Sequence, residues 1–143
     1  MRILKIKKDF IPSEINHGDE IFPNGIFVLN ITKMIEYIKK YKDEIELESI
    51  NVPQYRDKAF SVINESHVNS VDISAPIILA EICPGNFSVL DGHHRLEKAY
   101  RNGVDKIMAY KLIPEQFIPF FTTIEGYKAF VEFWNGKLKR GKF

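Results

Sequence analysis

Val89-Leu-Asp-Gly-His-His-Arg-Leu-Glu-Lys-Ala-Tyr-Arg-Asn-Gly103 is the stretch on which the fold turns. The apolar residues Phe87, Val89 and Leu90 read as the end of a strand, Asp91 suits a helix N-cap, and Gly92 lets the backbone approach something closely. Leu96, Ala99 and Tyr100 then recur on one helical face, and Asn102-Gly103 supplies a left-handed stop signal. Two histidines and an arginine therefore fall in the first turn, where unpaired backbone N–H groups and the positive end of the helix dipole attract anions. Basic side chains are mildly unfavourable there unless an anion is present. At about 100° per residue, Arg95 lies on a flank of the core face, His93 near its edge and His94 almost opposite, so one core cannot absorb all three. These residue types predict a phosphate site at the start of the helix.

Outward from this stretch, Pro76-Ile-Ile-Leu-Ala-Glu-Ile82 reads as a strand, Pro84-Gly85-Asn86 as a turn, and Ile107 to Leu112 as a closing strand. Together with Asp91-Gly-His-His-Arg95, this order resembles the core of the ParB/sulfiredoxin superfamily, and within it the members that carry Asp-Gly-His-His-Arg. Those members include free serine kinases that take phosphate from a nucleotide. The resemblance covers about Ile45 to Ile113 and implies an α+β fold, a small mixed sheet with surrounding helices and the motif helix opening at one end of it. It further implies that the phosphates of a nucleotide (ATP, ADP or CTP) sit on Gly92, His93, His94 and Arg95, with Asp91 and His94 taking part in phosphoryl transfer.

Three departures narrow what the resemblance implies. Sulfiredoxin-type members place a nucleophilic cysteine directly after the motif glycine; here that residue is His93, so sulfinic acid reduction is not expected. The helix-turn-helix and dimerisation regions of partition proteins have no counterpart after Ile113, so plasmid partitioning is not expected either. The serine kinases carry a glutamate soon after a proline at the end of the first core strand, and the matching run Val52-Pro-Gln-Tyr-Arg-Asp57 has none. Asp57 and Glu65 are the two carboxylates available for that general base, and serine is not the expected acceptor.

Magnesium carried by a nucleotide's phosphates needs few protein ligands, and Asp91 is the candidate carboxylate for it. Its use as an N-cap would occupy the same oxygens. Adjacent His93 and His94 diverge on a helix, and His17 and His67 show no partner spacing with them, so a zinc site is not expected.

The chain of 143 residues, 45% hydrophobic and 27% charged, suits one folded domain with a core at about 45–113, an N-terminal arm over 1–44 and a C-terminal helical extension over 114–143. A formal charge of +1 gives no overall drive toward nucleic acid or an anionic membrane. No apolar run reaches the roughly 18 residues of a membrane span and no signal-peptide pattern opens the chain, so a cytoplasmic protein is expected. Cys83 is the single cysteine and reads as a small packing residue before the turn.

Elsewhere, Ile3 to Ile6 and Gly25 to Leu29 read as short strands separated by a polar loop from Pro12 to Pro23. Asn30 caps a helix with the stripe Ile31, Met34, Ile35 and Ile38, ending near Tyr41. Ile45 and Leu47 alternate with Glu46 and Glu48 in a strand that Pro53 stops, ahead of a helix around Lys58 to Glu65 that buries Phe60 and Ile63. Thr122 and Glu125 form a capping-box signature for a final helix with Tyr127, Phe130, Val131, Trp134 and Leu138 on one stripe. The basic residues Lys137, Lys139, Arg140 and Lys142 make nucleic acid a possible but disfavoured partner, since charged ends are usually solvated. Two functions remain open: a nucleotide-dependent phosphotransferase or hydrolase acting on a small-molecule acceptor or water, and a non-catalytic nucleotide-sensing module that binds a partner or DNA.

Overall fold

A computed structural model describes residues 3–58 and 63–141. It is a mixed α+β structure in which two compact units are each assembled from separated stretches of chain. One unit comprises the described residues up to Lys42, with Glu81–Asn86 and those from Ile113 onward; the other comprises Asp43–Ala80 and Phe87–Leu112.

The second unit carries the Asp-Gly-His-His-Arg stretch. Its sheet has the order β3-β6-β4-β5, with β3 at Glu46–Asn51, β4 at Ile77–Cys83, β5 at Asn86–Asp91 and β6 at Lys106–Leu112. (β1 and β2, at Ile21–Asn24 and Phe27–Asn30, belong to the first unit.) β3 pairs antiparallel with β6, with Ile50 opposite Ile107, and β4 runs parallel to β6, with Ile77 opposite Ala109. Because side chains alternate across a strand, Ile50, Ile77, Leu79, Ile107 and Ala109 share one face. There they form a core with Val89 and with Leu96 and Ala99 of α4, His93–Arg101.

Two shorter helices complete this unit: α2, Val52–Lys58, and α3, Glu65–Ser70. Pro53 does not merely end the strand; it sits in the first turn of α2, where a missing N–H costs nothing. Asn51 Oδ1 accepts the Gln54 amide at 2.8 Å in the manner of an N-cap. The helix expected around Lys58 to Glu65, with Phe60 inside it, falls largely on 59–62, outside the described residues; Ile63 is only half-buried in coil and the next helix starts at Glu65. Leu47 is 46% exposed although strand alternation pointed it inward, and Tyr100 of α4 is 41% exposed. Tyr100 lies under the Arg56 guanidinium, 4.4 Å from the ring centroid, so a cation covers it instead of the core.

In the first unit, β1 and β2 form a hairpin closed by Gly25-Ile26. β1 lies partly within the expected polar loop; Pro23 is tolerated because a two-stranded ribbon has only edge strands. Asn30 caps α1, Ile31–Tyr41, accepting from the Lys33 amide as expected. No strand forms over Ile3 to Ile6. Side chains take the backbone groups of that segment: Leu4 exchanges hydrogen bonds with the Asn135 amide, and the Tyr127 hydroxyl accepts from Lys7 N and donates to Lys5 O. After α5, Pro114–Phe117, the long helix α6 spans Ile124–Arg140. Its N-cap is Thr123, one residue later than expected, because Thr122 is bonded through both its amide and its hydroxyl to Val28 O. Tyr127, Phe130, Val131 and Trp134 are buried, and Phe117, Phe121, Phe27 and Phe130 meet edge to face or tilted.

Gly126 opens α6 directly beneath the hairpin turn, and a Cβ there would stand 2.6 Å from the Ile26 carbonyl oxygen. Glycine to alanine in a helix normally gains up to about 1 kcal/mol. Here the obstacle is backbone, so Gly126→Ala is expected to lose about 1–3 kcal/mol instead, lowering Tm in thermal unfolding by about 3 to 10 °C; an unchanged or raised Tm would show that the turn yields freely.

Candidate functional site: the start of helix α4

Gly92, not Asp91, is the N-cap of α4. It adopts φ 104° and ψ 21°, makes no side-chain cap, and its carbonyl accepts the first helical hydrogen bond, from Leu96 N at 2.9 Å. A Cβ on Gly92 would lie 2.7 Å from Ile77 Cβ and closer still to Ile77 Cγ2. The glycine is thus required twice over, for its left-handed backbone and for contact with β4. The amides of His93, His94 and Arg95 precede the first helical donor, Leu96 N, and no acidic residue stands in this first turn.

Asp91 ends β5, and its carboxylate turns to Arg95 one helical turn on. Arg95 Nη2 donates to Asp91 Oδ2 at 3.0 Å and Nη1 donates to Pro76 O at 3.1 Å, with about a fifth of each side chain exposed. The guanidinium therefore ties the end of β5, the start of α4 and the lead into β4 together. Asp91 Oδ2 is the oxygen that Arg95 holds. No group of three or more His, Cys, Asp or Glu side chains among the described residues is placed to hold a metal ion.

The two histidines diverge as helical geometry demands. His93 is half-buried; burial chiefly pushes its pKa below the ordinary 6.5, Asp91 opposes this, and His94 adds to it. His94 turns to α3. Its Nε2 accepts from the Asn64 backbone amide at 3.0 Å, which leaves the proton of the neutral ring on Nδ1, and its ring meets His67 edge to face with centroids 4.5 Å apart. Burial and then His67 hold the His94 pKa below its ordinary value.

One turn further along α4, Glu97 is only 8% exposed yet ionised in character. Burial would raise its pKa, but hydrogen bonds from Arg56 Nε at 3.0 Å and Arg101 Nε at 2.8 Å outweigh it and hold it low. Arg101 also grips Glu65 with both terminal nitrogens, at 2.6 and 3.0 Å. Of the two carboxylates expected to replace the absent glutamate, Glu65 is thus committed to Arg101, while Asp57 is exposed and only 3.9 Å from Arg56.

The structure brings Asp91 to Arg95 and His94 to His67, and it separates His93 from His94. Sequence spacing missed Asn64, His67, Arg56 and Glu97. Asn64 carried a local signal, since an asparagine before Glu-Ser-His is a good helix cap, and its side chain does accept from the Ser66 and His67 amides. The meeting of His67 with His94 joins residues 27 positions apart in the chain and has no periodic signature.

Comparison with protein-family models, with curated proteins and with solved structures found no match to this chain. No helix among the described residues is long and apolar enough to cross a membrane.

His93 and His94 both bind their protons less readily in the folded chain than in the unfolded one. The unfolded state therefore takes up more protons below about 6.5, and stability present above that value is lost as the pH falls through it. Tm is expected to fall between pH 7.5 and pH 5.5, and to fall less in His93→Gln; an equal fall in both would remove His93 from the acid response.

Proposed function

We propose that this protein binds the phosphates of a nucleotide at the start of α4, in the manner its resemblance to the ParB/sulfiredoxin superfamily implies. The observation that carries the reading is an uncapped helix start: a left-handed Gly92, three backbone amides ahead of the first helical donor, and His93, His94 and Arg95 with no acid among them. Protein helices normally fill such a start with a side-chain oxygen. A phosphate supplies the same acceptors with more charge, and the dipole favours it.

Arg95 would bind the anion with the N–H groups that Asp91 and Pro76 leave over, and the Asp91 pairing orients the guanidinium beforehand. Asp91 Oδ1 suits magnesium riding on the phosphates, which would neutralise charge on the departing group. If phosphoryl transfer follows, His94 is the group for the proton and a small alcohol or water the acceptor.

A second reading, a module that binds the nucleotide without turning it over, is favoured by one specific observation. His94 Nε2 already accepts from Asn64, and Asp91 already pairs with Arg95, so both groups assigned to catalysis have structural occupations.

A thermal-shift panel of ATP, ADP, CTP, pyrophosphate and inorganic phosphate, with and without magnesium, tests the shared claim. Saturation at about 100 times Kd adds about 2.7 kcal/mol, a shift on the order of 5 to 10 °C for a domain of this size. Arg95→Ala is expected to melt lower without ligand and to lose most of the shift. A panel with no shift at all ends the phosphate reading. Nucleotide turnover over hours, with free serine, other small alcohols and water as acceptors, then separates the two readings: a phosphotransferase or hydrolase loses about a hundredfold or more in His94→Ala, whereas a sensing module shows no turnover in the wild type.

A further inference from the structure

His94 stands at the junction of α3 and α4 with its acceptor nitrogen facing a donor. The Asn64 amide reaches His94 Nε2 at 3.0 Å, and Asn64 is itself the N-cap of α3, its Oδ1 holding the Ser66 and His67 amides. On the same side, His67 of α3 presents its ring at 82° to that of His94, 4.5 Å away. The first turn of α3 is therefore joined to the first turn of α4 through one imidazole.

Among the described residues, the charged groups of the neighbouring elements have other partners. Glu65 is held by Arg101, Glu97 by Arg56 and Arg101, and Asp91 by Arg95. Lys98 donates to the carbonyls of Asn69 and Val71, which anchors the far end of α3. Asp72 beyond it binds Ser74, and Asp57 lies in solvent beside Arg56. Among the described residues no carboxylate contributes to the His94 pKa, and the neighbouring His67 opposes a positive charge there.

We propose that His94 is an acid-released latch: protonating Nε2 replaces an accepted hydrogen bond with two donors face to face, sets an imidazolium against His67, and frees the first turn of α3 from α4. The far end of α3 stays anchored by Lys98, and the grip of Arg101 on Glu65 spans the same junction, so the release is a local swing at Asn64. In regulating access to the start of α4 the latch deepens the phosphate reading and rests on it, but the release is a property of the chain and is read without ligand.

NMR titration of the whole protein from pH 8 to pH 5 tests it. In the wild type the Asn64 amide proton moves upfield with the His94 midpoint, that midpoint lies below 6.5, and the cross-peak between the His67 and His94 rings is lost while core amides hold. In His94→Gln the Oε1 accepts at every pH, so the Asn64 amide stays put; in His67→Ala the His94 midpoint rises toward 6.5. An Asn64 amide that ignores the His94 titration, or one that moves alike in His94→Gln, overturns the latch. Such a failure would leave nucleotide shifts untouched, just as a silent nucleotide panel would leave the latch standing.

Discussion

Gly92 turns the chain from β5 into α4 where no side chain fits, because a Cβ there would run into Ile77 and its φ is positive. Everything that distinguishes the second unit follows from that turn. It delivers Leu96 and Ala99 to the face of the sheet, brings Arg95 back over Asp91 and the Pro76 carbonyl, and leaves the first amides of the helix without a cap. A larger residue would have to move Ile77 out of the core or the helix off it, and either costs packing contacts across the whole face.

The electrostatics of α4 are arranged so that burial and charge do not conflict. Glu97 loses most of its hydration, and a lone buried carboxylate would cost several kcal/mol. Two guanidinium groups approach its two oxygens from α2 and from its own helix, and each stays partly in water, so the positive charges keep their solvation while the negative one is satisfied. Histidine is less well compensated here. Burial chiefly holds the His93 and His94 pKa values below the ordinary one, and only for His93 does a carboxylate, Asp91, oppose it; a helix start favours anions in the first place.

In the first unit the organising contacts are aromatic. Phe27, Phe117, Phe121 and Phe130 fill the space between the hairpin and α6, and Phe10 of the arm stacks on Tyr127 at 4.1 Å. The arm is held by side-chain hydrogen bonds from Tyr127 and Asn135, which explains why the alternating Ile3 to Ile6 forms no strand: its backbone groups already have partners on a helix.

By itself the sequence determined the elements whose periodicity and caps agree: α1 behind Asn30, β4 and β5 around the Pro84-Gly85 turn, α4 with Leu96 and Ala99 inward, β6, and the aromatic stripe of α6. Each is a local pattern of side chains that can bury only one way. It also placed Asp91, Gly92, His93, His94 and Arg95 at one helix start. Tertiary structure alone decided what those side chains touch. Asp91 became the partner of Arg95 instead of a cap because Gly92 turned the backbone first, His94 found Asn64 and His67 because α3 docks on α4, and Glu97 could be buried because Arg56 arrives from another helix. Leu47 and Tyr100 went the other way, to solvent and to the Arg56 guanidinium, because burial depends on what packs against a face, and periodicity says only which residues share it.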